Sequence, residues 1–167
     1  IEVESPAALA LRSDGAVVAA LFGGHRVVEL ARIDPPGAGG PRLERRVAVG
    51  GRGAGPGQFR HPTDVAALVD GGVLVADADN GRIQKLDARG RAIDVWSGPP
   101  GHGFDKPAGV TIAGGVVHVA DAVRRSVMAL DAKGQLLAEW AMTDDADRSI
   151  ESPVRVESRD GLVYVTD

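Results

Sequence analysis

The sequence predicts an all-β chain built from repeated four-stranded antiparallel units. Three observations carry this expectation. The stretch "VLVADADNGRIQKLDARG" at 73–90 returns in register as "VHVADAVRRSVMALDAKG" at 117–134. Pro6, Pro62, Pro107 and Pro153 recur as anchors, with Pro62 and Pro107 standing 45 residues apart, and a fixed period of that size marks a repeat architecture. No segment carries helical periodicity with caps; the best competitor, 19–31, is interrupted by Gly23-Gly24.

Each element of the unit has a local cause. Residues 64–68 follow Pro62 as a β-branched and apolar first strand, "DGG" at 70–72 turns the chain, and 73–76 form a second strand. Residues 77–81 make a polar corner, 82–86 alternate as a third strand, and "DARG" supplies a turn whose Gly90 accepts positive φ. Residues 91–96 complete the meander. Laying Pro6 on Pro62 brings Asp14-Gly15 onto Asp70-Gly71, Arg26 onto Arg82 and Leu30 onto Leu86, and laying Asp77 on Asp121 puts Trp96 on Trp140. The units run approximately 1–49, 50–96, 97–140 and 141–167, all within one domain. Residues 33–43 read as an insertion before the last strand of the first unit, and the alternating "IEVE" at 1–4 reads as an outermost strand. The fourth copy spans Pro153 to Asp167 and supplies only a first strand pair.

One such sheet exposes two apolar faces and cannot bury both alone, so neighbouring units must stack face to face around an axis. That arrangement is a β-propeller. About three and a half blades are present where complete rings hold about 4–8, so the expected ring is incomplete or is completed by further segments or another chain.

Composition narrows the function classes. The 167 residues carry a formal charge of −4, with 44% apolar and 25% charged residues, as an ordinary globular domain does. Arg12, Arg26, Arg45, Arg46, Arg82, Arg124 and Arg125 are dispersed, which leaves no basic stripe for phosphates, so nucleic acid is not an expected partner. The longest uncharged apolar runs, such as 16–24, fall far short of the ~20 residues of a membrane span. Cysteine is absent, which removes disulfides and thiolate metal sites.

The segment "GPGQFRHPTDVAALVDGGVLVADADNGRIQKLDARG" at 55–90 resembles the NHL-repeat β-propeller family. It carries the glycine-rich lead-in, the Phe59-x-x-Pro62 step, the Val75-x-Asp77 strand end, the Asn80-x-Arg82-Ile83 corner and the Asp-x-x-Gly turn in order. The third unit matches less fully, and the first has Leu21 in the place of the aspartate. The resemblance implies a bacterial propeller lying outside the cytoplasm, while the mixed charge and the missing catalytic and metal signatures point to a recognition or scaffold module. The family also includes an amidating lyase whose zinc-binding histidines stand just after the anchoring prolines. Those places here hold Ala7, Thr63, Ala108 and Val154, so that pattern is missing.

The strand-end Asp77 and Asp121 read as turn-capping residues that accept backbone N–H bonds, not as catalytic acids. The lead-in loops and the corners between second and third strands are expected to gather on one rim, around the mouth of the axial channel. That rim would collect Arg60, His61, Asp64, Asp79, Asn80, His102, Asp105, Lys106, Arg124, Arg125 and Arg148, together with His25 and Glu151: a ring of mixed charge suited to a protein partner or a small ligand. Loop histidines His25, His61 and His102 would form an open zinc site if they converged; His118, mid-strand, reads as a core or interface residue. "DADNG" at 77–81 lacks the glycine and glutamate of a calcium loop, "GGRGAGPG" at 50–57 lacks the Lys-Ser/Thr of a phosphate loop, and the acidic cluster Asp144, Asp145, Asp147 reads as solvated. Trp96 and Trp140 are expected to do the same packing job at the outer edge. The expected function is non-enzymatic recognition with no cofactor; the alternative is a propeller hydrolase or lyase, amidating-lyase-like or lactonase-like, with zinc or calcium at the channel mouth.

Overall fold

The computed structural model describes residues 5–34, 40–141, 152–159 and 162–167. Among them the chain forms three four-stranded sheets and one strand pair, every neighbouring pair antiparallel and in sequence order. The first sheet holds β1 (Pro6–Leu11), β2 (Val17–Leu21), β3 (Arg26–Ile33) and β4 (Arg42–Gly50). The second holds β5 (Pro62–Ala67), β6 (Val73–Asp77), β7 (Arg82–Leu86) and β8 (Ala92–Trp96). The third holds β9 (Pro107–Ala113), β10 (Val116–Asp121), β11 (Ser126–Leu130) and β12 (Leu136–Ala141), and β13 (Arg155–Arg159) pairs with β14 (Leu162–Thr166). The fold is the all-β, blade-by-blade arrangement of a propeller. The segment 19–31, the best helical competitor, is strand on both sides of the Gly23-Gly24 turn.

The blades stack as the apolar patterning requires. A central strand lies between two neighbours in its own sheet and faces a blade on each side, so β6 is buried along its whole length, whereas β4 is largely exposed. Val18, Ala20 and Val27 of the first blade close on Val65, Val75 and Leu86 of the second, with Phe59 filling the seam. Leu74 and Ile83 meet Val110, Val119 and Met128 across the next seam, and Ala120 and Val127 meet Val156 and Val165 across the last. The innermost strands β1, β5, β9 and β13 are successive neighbours, lining the axis.

Several boundaries shift from the sequence expectation. The innermost strand of the second blade begins at Pro62, not Asp64, because Pro62 already pairs with Asp77 while Asp64 pairs with Ala76. Thr63 is therefore an extra residue in a bulge, and Ala7 and Ala108 occupy the same bulge in their blades. Asp77 belongs to β6, and the corner after it is a short 3₁₀ turn at Ala78–Asn80. The first blade's expected insertion is a long hairpin arm in which Ile33 pairs with Arg42; residues 35–39 lie outside the described residues, as do residues 1–4 with their expected outer strand.

The two tryptophans do not share a job. Trp96 is 7% exposed and lies over Gly134 of the next blade's turn, where a Cβ would stand 2.6 Å from the indole Cγ. Trp140, in the same register, is 48% exposed and among the described residues stacks on the His118 ring, 6.4 Å away between centroids. His118 sits at the seam with β13, its Nδ1 3.2 Å from the Ser158 hydroxyl.

Candidate functional site

The recurring aspartate is a clamp. Asp77 is fully buried: one oxygen accepts the Arg60 N–H at 2.7 Å, and the other accepts Arg82 Nε at 2.7 Å, Asn80 Nδ2 at 2.9 Å and Gln84 Nε2 at 3.1 Å. Arg82 continues to the carbonyls of Ala54, Gly55 and Gln58, and Asn80 to that of Gly53. The glycine-rich lead-in thus hangs on one buried ion pair, its carbonyls satisfied by side chains because the segment makes few backbone bonds of its own. Asp121 repeats the device, accepting the N–H groups of Asp105 at 2.8 Å, Lys106 at 3.0 Å and Arg124 at 3.0 Å. Asp167 does so a third time, with the Ser152 N–H at 2.7 Å. The carboxylates reach back to the lead-in loop as well as across their own corner, a longer span than an Asx turn.

Where the blade corners meet the lead-in loops, a recess of about 390 Å³ opens, lined by Arg52, Arg60, His61, Ala78, Asp79, Asp105, Lys106 and Val123. His61 is its pivot. Its backbone is left-handed (φ 49°), its Nδ1 lies 2.5 Å from Asp79 Oδ2, and its ring stacks on Phe22 at 4.4 Å between centroids. The His61 N–H donates to His25 Nδ1 at 3.1 Å, which joins the first blade's corner to the second blade's lead-in. The hydrogen bond from His61, helped by the Lys106 ammonium 3.6 Å away, holds Asp79 below the ordinary carboxylate range. Desolvation, then the positive potential of His61 and Arg52, holds His25 below the ordinary imidazole range.

Beside the recess lies an open axial cleft of about 930 Å³. The residues one step past each anchoring proline, Ala7, Thr63, Ala108 and Val154, all face it, flanked by Phe22, Lys106, Asp64, Arg155, Glu157 and Tyr164. Asp64 is 8% exposed and accepts two backbone N–H bonds at 2.9 Å, from Val65 and from Val110 of the next blade; burial pushes its carboxyl up. It therefore belongs to the channel wall and not to the outer rim.

The expected rim residues separate accordingly. Arg60, His61, Asp79, Asp105 and Lys106 gather at the recess. Asn80 is taken up by the clamp. His102 and Arg124 converge instead on Glu139 of β12, at 2.9 Å and 2.7 Å, and the Arg124 hydrogen bond lowers the Glu139 carboxyl to about 2. Of the three loop imidazoles, His25 and His61 approach each other, 4.5 Å between ring centroids, while His102 pairs elsewhere. Among the described residues no group of three or more His, Asp or Glu is placed to hold a metal ion. Arg125 takes the left-handed corner position (φ 56°) that Gly81 and His25 take in the other blades. Arg148 and Glu151, like the acidic cluster at 144–147, lie outside the described residues. No helix among the described residues is long and apolar enough to cross a membrane. Sequence reasoning missed Arg52, Phe22 and Glu139: Arg52 was hidden in a glycine run, and the other two act only through contacts with distant loops.

Residues 59–86 match the NHL repeat. No curated protein sequence matches the chain. Among solved structures, the hydrazine synthase of Kuenenia stuttgartiensis is similar at 18% identity and a TM-score of 0.69, over 96% of this chain and 41% of that one. A catalytically inactive virginiamycin B lyase from Staphylococcus aureus with quinupristin is similar at 13% identity and a TM-score of 0.61, over 96% and 48%. U3-55K is similar at 14% identity and a TM-score of 0.71, over 99% and 49%. The chain spans about half or less of the length of these structures, and at such identities the likeness is one of fold.

Proposed function

We propose that this chain, which carries an NHL repeat and folds as β-propeller blades, is a recognition or scaffold module whose loop rim binds a protein partner or a small ligand without catalysis. The observation that carries the reading is the division of labour among its acids. Asp77 and Asp121 are buried and accept N–H groups at both oxygens, so they hold loops and offer no free carboxylate. A separate set of exposed charged groups, Arg52, Arg60, Asp79, Asp105 and Lys106, surrounds a recess at the rim. The rival reading, a metal-dependent hydrolase or lyase, finds Ala7, Thr63, Ala108 and Val154 at the cleft positions where ligating side chains would stand, and none of these can replace an imidazole. No cofactor is part of the proposal.

Val123, which projects 62% exposed between recess and cleft, provides the test. Peptides selected on the chain from a random displayed library are expected to lose about tenfold in affinity on Val123→Trp. They are expected to be indifferent to Arg91→Ala on the exposed outer edge of the second blade, where the side chain is 71% exposed. Selected binders that ignore Val123→Trp, or stoichiometric zinc or calcium in unchelated protein, would overturn the reading.

A further inference from the structure

The cations around the recess differ in how they are held. Lys106 is drawn to Asp79, and Arg82, just behind, is consumed by the clamp. Arg52 and Arg60 are exposed, line the same recess, and have no side-chain hydrogen bond or ion pair among the described residues. Three cations, Arg52, Arg60 and Lys106, face two carboxylates, Asp79 and Asp105, so these five groups leave one positive charge in excess at the recess. Asp79 is already engaged by His61 and Lys106, which leaves the two guanidinium forks as the open donors. A guanidinium presents paired N–H groups in the geometry of a carboxylate, and an excess of one charge is balanced by a monoanion better than by a dianion.

We propose that the recess is a carboxylate subsite, with Arg52 and Arg60 as its donors and the Ala78 and Val123 side chains as its apolar wall. The inference rests on the reading of the rim as a recognition surface and names the chemistry it recognises. The carboxylate belongs to a peptide or to a small free acid; the shared group is what the arginines read. Phosphate fits less well because a second negative charge would face Asp79 and Asp105 across the recess.

The test is a titration of the ¹⁵N-labelled chain with N-acetyl-Gly-Phe, its C-terminal amide, succinate, inorganic phosphate and a single-stranded RNA oligonucleotide. The acid is expected to move the backbone amides of Arg52, His61 and Lys106 and the arginine Nε–H signals, with the amide at least about tenfold weaker. Arg52→Ala/Arg60→Ala is expected to abolish the effect with an unchanged Tm, since neither side chain supports the fold, and Arg52→Lys/Arg60→Lys to retain only part of it. Binding is expected to weaken between about 0.05 and 0.2 M salt. Succinate matching the peptide acid assigns the site to a free acid; a weaker succinate assigns it to a peptide. Equal binding of acid and amide, no effect of the double alanine variant, or tighter binding of phosphate or RNA would overturn the inference. If it falls while selected peptides still respond to Val123→Trp, only the carboxylate assignment is lost; if both fail, the rim reading falls with it.

Discussion

Asp77 and Asp79 stand two residues apart and do opposite work. Asp77 is fully buried against Arg82, whereas Asp79 is 37% exposed and pairs with groups that water also reaches. Removing one partner of a buried pair strands the other charge in a poor solvent and costs about 3–5 kcal/mol. An exposed pair is worth about 0–1 kcal/mol because solvent screens it. Asp77→Ala is therefore expected to lower the urea midpoint steeply and to release the glycine-rich lead-in, since Arg82 loses the carboxylate that aims it at the Ala54 and Gly55 carbonyls. Asp79→Ala is expected to leave the unfolding free energy within about 1 kcal/mol of the parent. Equal losses would mean that the clamp is not what holds the loop. The contrast also explains why function is better sought at the recess beside Asp79 than at Asp77: a carboxylate whose four partners are internal has nothing left to offer a ligand.

At the scale of elements, the end of a fourth strand closes over the next blade's turn. Val49 meets Gly90 in this way, and Trp96 meets Gly134. A Cβ at either glycine would collide with the side chain above it, so these glycines make room for their neighbours as well as for their turns. Truncating a buried aromatic costs about 3–5 kcal/mol through lost transfer and a residual cavity. Trp96→Ala is expected to fall in that range by denaturant unfolding, and Trp140→Ala, at a half-exposed site, to stay within about 1 kcal/mol. Comparable losses at the two sites would restore the equivalence that the repeat alone implies. This is also where the sequence stops being sufficient. The meander, its turns and the strand-end aspartates were legible because they are local and periodic: alternation, Asp-Gly turns and anchoring prolines each act over a few residues. The bulge at Thr63 was not, because it depends on which residue Asp77 pairs with. Nor were the pairing of His61 with His25 and that of His102 with Glu139, because each joins loops whose meeting is set by how blades and strands are placed against each other. Periodicity fixes what is the same in every blade, and a binding site is made of what differs.

For the molecule as a whole, stacking makes stability nearly one-dimensional: each blade contacts its neighbours, and a seam can open without the others. At the seam before β13 two innermost strands approach each other through their backbones. A Cβ at Gly109 would stand 2.9 Å from the Val156 nitrogen and 3.0 Å from Arg155 Cα, and both are main-chain atoms that move only if β13 moves. Among the described residues the apolar cluster behind it is small, Ala120, Val127 and Val156 with Val165 beside them, against the broad clusters at the other two seams. Gly109→Ala is thus expected to wedge this seam apart while sparing the rest. Hydrogen exchange should show the amides of β13 and β14 losing most of their protection, with those of β2, β3, β6 and β7 unchanged, because the unit of opening is the blade. If protection instead falls uniformly across all blades, the sheets share one cooperative core, and the radial stacking that positions the recess between the second and third blades is not the organising principle of this chain.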